Sequence, residues 1–126
     1  MKTSPGRLLT GIGVIHTLFT PVFFARELGA IVADGVIASV AEQYDRNAAF
    51  WFAFFGFVLI LLGETIHVIE RELASPVPSR VTWGLAAVIF TGIVVMPVSG
   101  FWLGLVPVFL LVRGAPARSS SHVRPL

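Results

Sequence analysis

Three stretches of this chain, Leu8–Ala25, Asn47–Gly63 and Val81–Val112, contain no Asp, Glu, Lys or Arg. They make up about half of the sequence. A membrane-spanning helix needs about 20 mostly apolar residues, with a range of about 17–25. The pattern therefore points to an integral membrane protein and away from a soluble enzyme domain or a DNA-binding module. Composition agrees: charged residues are 13% of the chain and apolar residues 56%, whereas a soluble domain carries about 25% charge. The formal net charge of +2 would suggest nucleic acid in a soluble protein. Here the basic residues flank apolar runs, so the expected partner is the lipid bilayer and no nucleic acid is expected. There is no cysteine, which excludes disulfides, thiolate nucleophiles and Cys-ligated metal sites.

Four spans follow from the charges and breakers. Span one covers about 8–24, between Arg7 and Arg26. A cleaved signal peptide would use the same apolar run, but it lacks a small-x-small cleavage site and contains His16 and Pro21. Span two covers about 48–69, closed by Glu70-Arg71-Glu72. The run Val81–Val112 would be about 48 Å long as one helix, against about 30 Å of hydrocarbon. Pro97-Val-Ser-Gly100 lies at its centre, where proline removes a backbone donor and glycine permits a turn. The run reads as a hairpin of short spans, about 81–96 and 101–113. The expected fold is an all-α, four-span transmembrane bundle over 1–113. Residues 114–126, rich in Ala, Pro and Ser, form a disordered tail in this reading.

Orientation follows from charge counting. With the N-terminus inside, Lys2, Arg7, Arg71, Arg80, Arg113, Arg118 and Arg124 lie on the inner side, and only Arg26 and Arg46 outside. This is the positive-inside pattern. Trp51, Trp83 and Trp102 fall at span ends, as an aromatic belt requires. The expected location is a cell inner membrane with both termini cytoplasmic. Between spans one and two, Leu28, Ile31, Val32, Val36 and Val40 recur at helical spacing around Asp34-Gly35. They suggest an outer interfacial segment.

Chemistry at membrane depth is confined to a few residues. His16 lies about 12 Å above the inner end of span one and Glu64 about 7–8 Å above that of span two. The difference is about one helical turn, which the side chains of His16 and Glu64 could bridge if the two helices pack. An ionised carboxylate in hydrocarbon is costly, which directs Glu64 toward the bundle interior. Glu64, His67 and Arg71 lie at i, i+3 and i+7, a polar ladder leading to the inner surface. Span one offers a matching stripe of Thr10, Gly13, Thr17 and Thr20. Pro21 frees the carbonyl of Thr17 as an acceptor. Glu64, His16 and His67 are thus the candidate catalytic groups, and Thr17, Thr20 and Arg71 the candidate ligand or proton path. The structural alternative is a buried His16–Glu64 pair that sets helix register.

Glu64-Thr-Ile-His67 has the E-x-x-H spacing of di-iron bundles, but those use two copies and two further Glu residues. Neither a metal nor a cofactor is expected. Gly100-Phe-Trp-Leu-Gly104 would permit close approach of helices, including a homodimer. Gly84, Ala87 and Thr91 read as a small packing face on span three. The aromatic cluster Phe50, Trp51, Phe52, Phe54, Phe55 and Phe57 reads as lipid-facing or core.

Several motifs carry a resemblance: Met1-Lys-Thr-Ser-Pro-Gly-Arg7, Gly13–His16, Ala33-Asp-Gly35, Phe50-Trp-Phe52 and Met96-Pro-Val-Ser-Gly-Phe-Trp102. In these the chain resembles an uncharacterised family of small bacterial four-helix membrane proteins, a domain of unknown function. The resemblance implies an inner-membrane protein and no particular activity. Three functions remain open. The first is a binding or accessory protein for a lipophilic small molecule, a second copy or a larger membrane complex. The second is an intramembrane acid–base enzyme, of isomerase or cyclase type, using Glu64 and His16. The third is a small proton-coupled transporter using Glu64.

Overall fold

The computed structural model describes residues 4–40 and 42–114. They form five α-helices and no strand: α1 (Pro5–Phe23), α2 (Ala25–Ala33), α3 (Tyr44–Arg71), α4 (Ser79–Val95) and α5 (Leu105–Gly114), with a 3-10 segment, Gly100–Gly104, leading into α5. The expected disordered tail lies outside the described residues, except for Gly114. Helices α1 and α3 are long and apolar enough to cross a membrane, while α4 and the Gly100–Gly114 run are shorter apolar helices.

Each boundary has a local cause. Pro5 sits at the first position of α1, where its missing N–H is not needed and its fixed φ suits a helix. Asp45 in the first turn and Arg71 in the last complement the dipole of α3. The long apolar run breaks after Val95, as Pro97 and Gly100 imply. Ser99 caps the 3-10 segment by accepting from the Phe101 N–H, and Trp102 Nε1 donates to the Pro97 carbonyl at 2.8 Å. The segment expected to lie on the outer interface forms α2, closed by a turn in which Gly35, Val36 and Ala38 have positive φ. Asp34 at its end accepts from Arg46 at 2.6 Å, and the same Arg46 nitrogen reaches the Ser39 carbonyl at 2.8 Å.

Helix α1 is the centre of the fold. It lies antiparallel along α3 over its whole length and touches α5 and the 3-10 segment on another side; α4 packs on α5 and the 3-10 segment. Glycine makes the α1–α3 seam. A Cβ on Gly6 would meet the His67 backbone, one on Gly13 the Ile60 backbone, one on Gly56 the Thr17 hydroxyl, and one on Gly63 the Thr10 backbone. Gly6 and Gly13 are seven apart, as are Gly56 and Gly63, the repeat of a left-handed helix pair. The apolar core beside this seam joins Leu9, Leu59 and Ile66 to Leu85, Ile89 and Leu111. Exposed large apolar side chains outnumber these buried ones several-fold, from Leu18 on α1 to Phe90 on α4. In water such a surface would aggregate; against lipid it is solvated.

Two packing expectations need correction. Gly84, Ala87 and Thr91 are exposed, so that face of α4 packs against nothing in the fold. The reason is that α4 turns Thr82, Leu85 and Ile89 inward instead. Gly104 is not free for another molecule, because a Cβ there would strike the Ile89 side chain of α4.

Candidate functional site

The register of the glycine seam decides which polar groups meet. Thr10, beside Gly63, donates its hydroxyl to Glu64 Oε1 at 2.8 Å. His16 lies six residues further along α1, about 9 Å higher on the axis. There its Nε2 donates to the Phe52 carbonyl at 3.0 Å. Its ring stacks on Phe52 at 4.0 Å and meets the edge of Phe55 at 5.5 Å. His16 and Glu64 therefore have different partners at different levels, and no bridge between them is formed. The physical reason is that the glycine contacts set the relative slide of the two helices. Counting from charged span ends misses this slide, since α1 already begins at Pro5.

Glu64 also faces the other way from the expected direction. It is exposed, not turned into the bundle interior. Among the described residues it forms no ion pair; the Arg46–Asp34 bridge is elsewhere. This exposed carboxylate, seven residues before Arg71 at the end of α3, lies among the exposed apolar side chains Phe57, Leu61 and Val68.

His67 belongs to a separate polar cluster at the end of the seam where α1 begins and α3 ends. Arg7 Nε donates to His67 Nε2 at 3.4 Å, so the neutral ring carries its proton on Nδ1. Nδ1 lies 3.2 Å from Ser4 Oγ, and that hydroxyl donates to Glu70 Oε2 at 2.9 Å. Every donor in the chain Arg7, His67, Ser4, Glu70 points the same way, from cation to carboxylate. Ser4 is 6% exposed, which leaves no approach for a substrate to its hydroxyl. The arrangement clasps the start of α1 to the end of α3. Ser4 and Glu70 were not among the expected site residues. Their signal is that Glu70 follows His67 by three residues, and that Ser4 directly precedes Pro5-Gly6 in the opening motif.

The remaining expected residues divide. Thr17 lies on the seam, where its hydroxyl donates to the Gly13 carbonyl at 2.9 Å within its own helix. Thr20 is buried, and its hydroxyl oxygen has no hydrogen-bond partner among the described residues. Arg71 closes α3 and is exposed. Among the described residues no three His, Asp or Glu side chains converge where a metal ion could sit. A cavity of about 380 Å³ opens beside the connection between α3 and α4, lined by Glu70, Ser75, Pro76, Val77 and Leu111 among others. It contains neither His16 nor Glu64.

The fold and its polar groups define an all-helical protein with two helices able to cross a membrane and an acid exposed on one of them. The chain belongs to a family of unknown function (DUF6463), whose model matches residues 1–118. No curated protein and no solved structure matches it.

Proposed function

We propose that this is a small four-span inner-membrane protein, with both termini cytoplasmic, that works by binding in the plane of the membrane through the exposed side of α1 and α3. The observation that carries this reading is the position of Glu64. A carboxylate left beside the exposed Phe57, Leu61 and Val68, about 10 Å before the end of α3, is costly where lipid reaches it. Thr10 supplies one hydrogen bond, and a carboxylate has room for about four. A partner that covers this surface supplies the rest. The acid–base reading needs two titratable groups within reach of one reacting atom. His16 spends its Nε2 proton on Phe52 about 9 Å along the helix axis from the level of Thr10, so this geometry favours binding over enclosed chemistry.

A photo-crosslinking amino acid at Leu61, one turn from Glu64 on the same exposed side, tests the proposal in living cells. Protein adducts at Leu61, with only lipid adducts at Phe90 on α4, are expected. Lipid adducts alone at both positions would sink it.

A further inference from the structure

The α1–α3 pair has two long sides. One carries Leu9, Leu59 and Ile66 and is covered by Leu85, Ile89 and Leu111 of α4 and α5. The other side is bare. At about 100° per residue, Arg7 lies about 160° round α1 from Leu9, and Glu64 about 160° round α3 from Ile66. Arg7, Gly11, Val14 and Leu18 follow one another on α1 at spacings of four, three and four; Phe57, Leu61, Glu64 and Val68 do the same on α3. All eight are exposed. A Cβ on Gly11 would meet nothing within 4 Å, so a second backbone can approach there.

This side is self-complementary in charge. Gly6 rests against Gly63 and His67, and Thr10 bonds Glu64. That register places Arg7 and Glu64 within about 3 Å of the same depth. The acid is on one helix and the base on the other. Arg7 uses Nε on His67, and its fork of four further N–H groups suits a carboxylate. In an isologous interface, where residue i meets j and j meets i, such a pair is satisfied twice. Two copies inserted with the same orientation keep Arg7 and Glu64 level with each other.

We propose that the covering partner is a second copy of this chain, related by a two-fold axis along the membrane normal, with Glu64 of each copy taking the Arg7 guanidinium of the other. The inference rests on the binding reading above and names its occupant. The apolar residues Val14, Leu18, Phe57, Leu61 and Val68 close around the two ion pairs and keep them from lipid and water.

The chain has no cysteine, so single substitutions report cleanly. In native membranes, oxidation of co-expressed Gly11→Cys and Leu61→Cys copies, which the register places at one depth on facing helices, is expected to give a covalent dimer, and Phe90→Cys on the exposed face of α4 none. In mild detergent, Arg7→Glu or Glu64→Arg alone is expected to weaken the dimer at least about tenfold, and the two together to restore it to within about threefold. The crosslink requires no change at Arg7 or Glu64, so it reads the interface even where a charge reversal costs folding. If Leu61→Cys instead crosslinks to a different protein, the second copy is excluded and the binding reading stands. If it crosslinks to nothing and native mass spectrometry gives a monomer, both fail.

Discussion

Thr20 buries a hydroxyl that meets no donor or acceptor among the described residues. A buried polar group left without a partner costs about 1–3 kcal/mol. Valine has nearly the same shape and no such group. Thr20→Val is therefore expected to raise stability by about 1 kcal/mol, read as a higher unfolding midpoint in detergent. Thr17→Val is the control: that hydroxyl already bonds the Gly13 carbonyl, and no gain is expected. At this scale the polar residues were legible in the sequence, because His16 lies within one charge-free run and Glu64 directly follows another. Their partners were not. His16 ends on a backbone carbonyl, and every residue of α3 offers one of those, so no side-chain pattern marks Phe52. The Ser4–His67–Glu70 cluster was hidden for a related reason. Serine before proline reads as a helix cap, yet the Ser4 hydroxyl makes no cap bond and crosses to α3.

Between helices, glycine position decides the outcome. Backbone stands where a Cβ on Gly63 or Gly6 would go: Thr10 N at 2.5 Å in one case and His67 N at 2.5 Å in the other. Backbone cannot rotate away as a long side chain can, so the helices must separate. Gly63→Ala is expected to cost about 2–3 kcal/mol through overpacking, and to disturb the Thr10–Glu64 bond. Gly11 lies in the same helix as Gly6 but its Cβ would meet nothing. Gly11→Ala should show the intrinsic helix preference for alanine, a gain of about 0.8–1 kcal/mol. Paired unfolding measurements in a detergent that keeps the chain monomeric check both signs. The seven-residue spacing of Gly6 with Gly13 and of Gly56 with Gly63 was present in the sequence. What it could not give was which glycine faces which. That choice fixes the slide of α1 on α3, and with it the separation of His16 from Glu64.

For the whole molecule, the number of crossings turns on the short helices. Two are long enough by themselves. The other two are short: α4 has 17 residues, about 26 Å, and the Gly100–Gly114 run 15, about 25 Å with its 3-10 start. A hairpin of that length either reaches the far surface of a locally thinned bilayer or turns back within it. Arg80 and Arg113 stand at the two ends of the hairpin, and under the positive-inside rule both ends would lie on one side. The turn between them supplies the rest of the argument. Val98 is 99% exposed, and Trp102 beside it is exposed while its ring N–H is tied to Pro97. A tryptophan with an apolar face and a satisfied polar edge suits the membrane–water boundary. With four crossings, this turn emerges on the same face as the loop before α3. An impermeant maleimide applied to intact spheroplasts is then expected to label Val98→Cys as readily as Gln43→Cys. Ser75→Cys, in the connection between α3 and α4, should react only after permeabilisation. Labelling of Gln43→Cys but not Val98→Cys would instead leave α4 and α5 as a re-entrant hairpin on a two-span protein. The α1–α3 face that bears Arg7 and Glu64 would keep its depth and orientation in that case, because α1 and α3 set it by themselves.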